Sequence, residues 1–172
     1  MDRTRDKILH AGEMLAQARY GTAASWPDAR LERMFHTALD EDRAFFIEAQ
    51  PFFFIATADD KGDCDCSFRS SEPDAGGKQQ PAVVVADART LIFPDYRGNN
   101  LYNSLGNILV NPHIGMLFID FPNAQRLRVN GSATLIDDPE TYREIWTTAL
   151  RYVQVTVEQV FGNCSKRIPR SL

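Results

Sequence analysis

The chain has 172 residues, 44% of them hydrophobic and 24% charged, which is enough for one domain with a proper core and hardly enough for two. Its 19 basic and 23 acidic residues give a net charge of -4, which argues against a general nucleic-acid-binding protein but allows one local basic site. No apolar run approaches the length of a membrane span, and the start MDRTRDK has no signal-type apolar core behind it. We therefore expect a cytoplasmic protein whose residues 1–172 form a single domain.

The N-terminal part of the chain is predicted to be helical. Residues 2–20 carry an imperfect apolar stripe that ends at Gly21, and a loop containing Trp26-Pro27 follows. A second helix is expected over about residues 40–48, with Asp40 as its N-cap and with Phe45 and Ile47 among its inward candidates. These helices, within about residues 1–50, are expected to pack on the outside of the rest.

From residue 52 onward the pattern changes to strands. The strands are separated by turn signals at 59–63, 87–89 and 122–124 and by an exposed Gly- and Pro-rich loop at 72–81. The second strand alternates, so Arg69 is expected on one face and Ser70 on the other. The six predicted strands are 52–58, 64–71, 82–86, 90–93, 114–121 and 126–136.

Residues 94–121 are predicted to form a polar loop, a short amphipathic helix, a turn and a buried strand. Apolar residues at i, i+4, i+7 and i+8 define one face of the helix, and Asn-Pro at 111–112 stops it. The strand after it shows no polar alternation and is expected to be covered on both sides. The predicted inward face of the helix consists of Leu101, Leu105, Ile108 and Leu109.

The start of this helix has the features of an anion site. The first N–H groups of a helix have no intrahelical partner and lie at the positive end of its dipole. Arg69, on an otherwise neutral strand, could meet this helix start as an anion clamp, and a plain surface arginine is an equally good interpretation. Small polar or basic residues flank the helix start: Arg97, Gly98, Asn99, Asn100, Asn103, Ser104 and Asn107.

The last part of the chain is predicted with alternatives. Asp138-Pro139, as N-cap and first helical residue, predicts a helix to about Leu150. Residues 151–161 are expected to form either a further helix or an extended segment, because β-branched residues are frequent there. Together these elements favour a mainly β, α+β architecture: a small antiparallel barrel decorated by helices.

Several kinds of catalytic and metal site are not indicated. The sequence has no G-x-G-x-x-G, no P-loop, no H-E-x-x-H and no G-x-S-x-G, and nothing identifies a nucleophile with its base. Cys64, Cys66 and Cys164, with three scattered histidines, favour free thiols in a reducing compartment over a metal site. If the protein is an enzyme, we expect a cofactor to supply the chemistry.

In order and spacing, these segments resemble the pyridoxamine 5′-phosphate oxidase-like, flavin-binding split-barrel proteins. The resemblance runs from about Phe45 to the end of the chain, and its most specific part is GNN-x(3)-SL-x-NI-x(2)-NP, followed by a strand and then LRVNG. The blocks that carry it are FFFIATADDKGDCDCSFRSS, TLIFPDYRGNNLYNSLGNILVNPHIGMLFID, RLRVNGSATLI and NCSKRIPRS.

The resemblance implies a six-stranded split barrel that pairs into a homodimer and holds FMN in the groove between the subunits. Arg69 and Ser70 match the strand that contributes to binding of the flavin phosphate. Arg126 stands where the family often has a polar side chain near the flavin ring. The loop and helix residues that match the rest of the phosphate site, with Arg97 as a helper, are Asn99, Asn100, Ser104 and Asn107.

The chain also departs from the oxidase proper. That enzyme carries an Arg-Lys pair at the head of the central helix, and it has an arginine and a histidine close together near its C-terminus. This chain has Asn99-Asn100 and Ser104 at the first place and a tail with Arg167 and Arg170 but no histidine at the second. The resemblance therefore implies an FMN-dependent oxidoreductase of unassigned substrate, not vitamin B6 oxidation.

Two alternatives stay open at this point. One is a flavin-binding module without turnover, for storage, sensing or assembly. The other is a related split barrel that uses haem or a deazaflavin. Haem would need an axial ligand, for which His113 is the only well-placed histidine, and a structural role at the turn is the commoner one for such a residue.

Overall fold

The computed structural model describes residues 4–162 and 166–169, and the chain forms two compact units that divide between His36 and Thr37. The N-terminal unit contains α1 (Thr4–Ile8), α2 (Ala11–Arg19), a 3₁₀ turn (Ala23–Ser25) and α3 (Asp28–Met34). The expectation of a single domain over residues 1–172 stays a prediction. The prediction that the N-terminal helices pack on the outside of the rest stays a prediction.

The single helix predicted over residues 2–20 is wrong at its centre. The chain breaks at His10, which is the N-cap of α2. Its imidazole Nδ1 accepts a hydrogen bond from the Gly12 N–H (3.1 Å), and the Glu13 carboxylate accepts one from the His10 N–H (3.0 Å). This reciprocal capping starts a new helix, so two short helices replace one. Helix α3 was not predicted.

The second unit begins with α4 (Glu41–Glu48), close to its predicted position. The Asp40 side chain accepts from the Arg43 N–H at 2.9 Å, as expected for an N-cap. Ile47 is fully buried, but Phe45, predicted to face inward, is 77% exposed.

Within residues 4–162 and 166–169, seven strands, not six, form one antiparallel sheet in the order β2-β1-β5-β6-β7-β4-β3. The additional strand, β7, is the segment for which helix and strand had both been considered. The α+β class with an antiparallel sheet is confirmed, and the predicted strand count is wrong. The strands are β1 (Phe52–Ala58), β2 (Cys64–Ser70), β3 (Val84–Asp87), β4 (Thr90–Asp95), β5 (His113–Asp120), β6 (Gln125–Ile136) and β7 (Arg151–Gly162).

Aromatic rings from three strands lie at the centre of the core. Phe53 of β1 stacks on Phe118 of β5 with ring centroids 5.1 Å apart, and it meets Phe93 of β4 edge-on at 5.3 Å. On β5, Phe118 is fully buried. Its neighbours Leu117 and Ile119, which lie on the other face of the strand, are only partly buried. The prediction that this strand is covered on both sides is therefore wrong for this chain by itself.

The two longest strands, β6 and β7, pair closely around a bulge at Asn130 and Gly131. A Cβ atom at Gly131 would lie 2.0 Å from the backbone carbonyl oxygen of Thr156. Glycine at this position therefore allows the two backbones to approach each other.

The helix predicted over residues 138–150 is wrong, because that segment forms consecutive turns. Two aromatic side chains, Trp146 within the segment and Tyr152 at the start of β7, hold it in place. The Trp146 indole N–H donates to the Pro81 carbonyl at 2.7 Å, and the Tyr152 hydroxyl donates to the Pro139 carbonyl at 2.6 Å. The segment thus covers the face of β4 that carries Ile92, and a regular helix would forgo these contacts.

The central helix α5 (Asn103–Val110) is confirmed but starts later than the apolar spacing suggested. Leu105 and Ile108 are buried, as predicted. Leu101 and Leu109 are 72% and 73% exposed, so their assignment to the inward face is wrong. Leu101 precedes the helix, and a helix of only two turns buries a narrower apolar stripe than the one predicted from the spacing.

Among the described residues, no helix is long and apolar enough to cross a membrane. The cytoplasmic location stays a prediction.

Candidate functional site

A cleft of about 450 Å³ lies between the edge strand β2, the end of β4 and the loop that leads into α5. Residues 65–70 form one wall, 94–96 a second, and 98–105 a third. The cleft therefore brings together residues that are up to 40 positions apart in the sequence.

Arg69 lies on the partly buried face of β2 at this cleft. Its Nη1 is 3.2 Å from Oδ1 of Asp95, and its side chain is 19% exposed. Its Nε is buried and has no hydrogen-bond partner. The guanidinium therefore keeps a donor that the protein itself does not satisfy.

Asp95 ends β4 and is buried in the wall of the cleft. Its Oδ2 is 3.7 Å from Nη1 of Arg151, which lies directly opposite in the pairing of β4 with β7. Burial raises the pKa of the Asp95 carboxyl above its ordinary value, although the charges of Arg69 and Arg151 act to lower it.

The loop before α5 has an unusual backbone. Asn100 (φ 62°) and Tyr102 (φ 57°) are both left-handed, a conformation that Asn tolerates and that costs a tyrosine about 1 kcal/mol. The Asn99 carbonyl oxygen Oδ1 accepts from the Leu101 N–H at 3.0 Å, and the Tyr102 hydroxyl donates to Asn100 Oδ1 at 3.3 Å. The Arg151 guanidinium lies 5.3 Å from the Tyr102 ring centroid. Strained backbone of this kind is common at binding sites.

The first turn of α5 faces the cleft without a side-chain cap. Tyr102 is its N-cap residue and makes no capping hydrogen bond through its side chain. Asn103, Ser104 and Leu105 of the first turn line the cleft. Their N–H groups, at the positive end of the helix, are therefore candidates to bind an anion. The Ser104 hydroxyl donates to Asp65 Oδ2 at a long 3.4 Å.

Five of the predicted site residues line this cleft: Arg69, Ser70, Asn99, Asn100 and Ser104. Three do not. Arg97 is exposed on the loop, the Asn107 amide donates to Thr57 Oγ1 at 3.0 Å, and Arg126 lies on β6 with a buried Nε that has no partner. Within the cleft, Ser70 is exposed and lies on the opposite face of β2 from Arg69.

Two cleft residues, Asp95 and Tyr102, were missed from the sequence, and so was Arg151, which lies behind Asp95 at 3.7 Å. Asp95 was predicted to lie in the polar loop that begins at Pro94. Arg151 came at the start of a segment with no assigned structure. The pairing of β7 with β4 brings the two charges together. This pairing was not predicted from the sequence.

Of the described histidine and cysteine residues considered as ligands, all except Cys66 lie outside this cleft. His113 is exposed and lines a second depression of about 310 Å³ with Cys64 and Glu158. Cys64 and Cys66 are free thiols, while Cys164 and Arg170 lie outside the described residues. Across the described part of the chain, no group of three or more His, Cys, Asp and Glu side chains is arranged to hold a metal.

Comparison with known proteins places the fold. The family model described as pyridoxamine 5′-phosphate oxidase matches residues 39–164. Solved structures with this fold include HupZ from Group A Streptococcus, at 18% identity over 72% of this chain and 93% of that chain, with a TM-score of 0.55. Another is a protein from Clostridium acetobutylicum related to general stress protein 26, at 12% identity over 73% and 90%, with a TM-score of 0.51. A search of curated protein sequences gives no match.

The architecture is that of the split-barrel proteins. The chain belongs to the pyridoxamine 5′-phosphate oxidase family. Membership of this family by itself does not decide the cofactor.

Proposed function

We propose that this cleft binds the phosphate of FMN and that the protein is an FMN-dependent oxidoreductase whose substrate is unassigned. The observation that supports the proposal is that the Arg69 guanidinium and the uncapped first turn of α5 face one cleft. An arginine fork and helix N–H groups are the donors that phosphate groups use in proteins. A mononucleotide suits the chain better than a dinucleotide, because the sequence has no Rossmann turn.

The residues present fit such a group. Arg69 offers the buried Nε that lacks a partner, and Asn99, Asn100 and Ser104 offer small polar side chains around the helix start. FMN, when bound, supplies hydride transfer at its ring, and the protein supplies binding and orientation. The roles predicted for Arg97, Asn107 and Arg126 stay predictions, and none of the three lines this cleft.

A homodimer with the cofactor between its subunits is part of the same proposal. On β2, the aromatic ring of Phe68 is 55% exposed. Its ring lies 5.3 Å from that of Phe52 and 5.9 Å from that of Phe54, and Phe52 also meets Phe121. Phe68 itself lines the cleft. An exposed aromatic cluster of this kind is typical of a protein–protein contact.

The proposal is tested by FMN binding to the purified protein. We expect an absorbance spectrum of a flavin, or FMN uptake measured by fluorescence quenching after unfolding and reconstitution. Arg69→Gln should weaken FMN binding at least about 10-fold, because it removes charge-assisted hydrogen bonds to the phosphate. Arg128→Gln, an exposed arginine that does not line the cleft, is the matched control. Wild-type protein that takes up no FMN, or two variants of equal affinity, would contradict the proposal.

A flavin-binding protein without turnover is the second candidate, and one observation favours it. Both carboxylates in the cleft wall are engaged by the protein, Asp95 by two arginines and Asp65 by Ser104. In this arrangement each of the two carboxylates already has a protein partner, which weakens the case for either as a general base. Anaerobic reduction with NADH or NADPH, followed by reoxidation, separates the two functions. Failure with every donor and acceptor supports the binding protein.

A further inference from the structure

We propose that Asp95 is an internal competitor for the anion site: it holds Arg69 when no ligand is bound and yields this arginine to an entering dianion. Asp95 would then set both the affinity of the cleft for dianions and the pH dependence of that affinity. This competition presupposes the phosphate-binding role proposed above.

The geometry of the three charges supports competition. The two oxygens of Asp95 face different guanidinium groups, Oδ1 that of Arg69 at 3.2 Å and Oδ2 that of Arg151 at 3.7 Å. The three side chains are only 11% to 23% exposed. A carboxylate and a phosphate use the same guanidinium donors, so a ligand that takes the Nη1 hydrogen bond now made to Asp95 displaces this carboxylate.

The ion pair leaves Arg69 incompletely satisfied. Its Nε is buried without a hydrogen-bond partner while Nη1 bonds to Asp95. A side-on pair with a carboxylate or a phosphate would engage Nε together with Nη2. An entering anion can therefore offer this arginine a hydrogen bond that Asp95 does not.

The charges around Asp95 determine the sign of the pH effect. Arg69 faces it from β2 and Arg151 from β7, while Asp65 lies in the same cleft beside Ser104 of α5. The tyrosines at positions 96 and 102 also line the cleft. A dianion near charged Asp95 meets repulsion, and protonation of Asp95 removes that repulsion and frees both arginines. Affinity should therefore rise as the pH falls, and the raised pKa of Asp95 brings this change closer to neutral pH than for an ordinary Asp.

Sulfate is the probe, because it stays a dianion while Asp95 titrates. Its affinity is measured from the rise in melting temperature with sulfate concentration at constant ionic strength. Asp95→Asn, which keeps the shape but not the charge, should bind sulfate at least about 10-fold more tightly than wild type at about pH 7.5. Asp137→Asn removes the same charge at an exposed position outside the cleft and should leave the affinity unchanged.

A pH series of the wild-type protein gives a second test that needs no variant. Its sulfate affinity should increase as the pH is lowered from about 8 through the pKa of Asp95, while that of Asp95→Asn stays flat. Equal affinities of Asp95→Asn and wild type, weaker binding by the variant, or a flat wild-type series would overturn the competition.

FMN binding separates this inference from the proposed function. If sulfate follows the expected pattern and FMN does not bind, the flavin proposal fails and Asp95 still competes with anions. If FMN binds and sulfate shows no dependence on Asp95, only the competition fails.

Discussion

Asp95 combines two opposing electrostatic effects at one residue. Its carboxylate has an arginine on each side, and yet burial raises its pKa. The loss of hydration therefore outweighs the attraction of two cations, as happens for many buried ion pairs.

The pH dependence of stability follows from this shift. Because folding raises the pKa of Asp95, the folded state binds the proton more tightly than the unfolded chain does. The stability from this group is fully present below the unfolded-state pKa, falls as the pH rises through the folded-state pKa, and is then constant.

We expect Asp95→Asn, which cannot ionise, to be at least as stable as wild type above that folded-state pKa. The difference should vanish at low pH, where Asp95 is neutral too. Urea unfolding midpoints of both proteins over a pH series measure this. A variant that is less stable by more than about 1 kcal/mol at about pH 8 would show that the ion pairs give net stabilisation.

Sequence reasoning found part of the cleft at this scale. Arg69 and the Asn99–Asn100 loop could be predicted, because the signals for them are local in the sequence. Small polar residues before a helix and an arginine between serines both indicate an anion site. Asp95 and Arg151 could not, since their proximity depends on a pairing between strands more than 50 positions apart. Local patterns do not specify long-range charge partners.

Among the secondary-structure elements, the segment between β6 and β7 shows how packing overrides a local signal. Asp138-Pro139 is a good helix start by sequence. The chain nevertheless turns repeatedly, because Trp146 and Tyr152 are fully buried and donate to backbone carbonyls of distant residues. Strand β7 is a second example. Its β-branched residues did not decide between a helix and an extended segment, and its pairing with β6 and β4 makes it a strand.

The close approach of β6 and β7 gives a stability prediction. Gly131→Ala would place a methyl group 2.0 Å from the Thr156 carbonyl oxygen, so the backbone must shift. We expect a loss of about 3 kcal/mol in unfolding free energy, measured by denaturant titration.

Gly115→Ala on β5 is the matched control. Its added methyl would meet nothing nearer than Asn130 Oδ1 at 3.5 Å, an ordinary contact. A Gly131→Ala variant as stable as this control would contradict the close approach.

At the scale of the whole molecule, the class of fold was predictable and the strand order was not. Alternating apolar residues and turn signals located six strands, and the block containing Asn99 to Asn107 pointed to the family. Sequence periodicity does not say which strands pair, so the order β2-β1-β5-β6-β7-β4-β3 had no local signal.

The proposed homodimer gives a prediction at the same scale. Phe68→Glu places a charge in the exposed aromatic cluster and should convert a dimer into monomers, as measured by light scattering with size-exclusion chromatography. Phe45→Glu, at a residue of α4 that is 77% exposed and outside the cluster, is the control and should leave the dimer intact. A wild-type protein that is monomeric at all concentrations, or two variants of equal mass, would contradict the dimer.

The Arg69–Asp95 pair also has a mechanical consequence. Four strands separate β2 from β4 along the sheet, so this contact fastens two regions that no backbone ladder connects directly. An anion that binds both Arg69 and the loop before α5 would break the contact of Arg69 with β4. It would link β2 to that loop instead. Deuterium uptake should then slow in residues 98–103 and quicken at 94–96 on anion binding. Uniform protection of both segments would show that the barrel stays closed through other contacts.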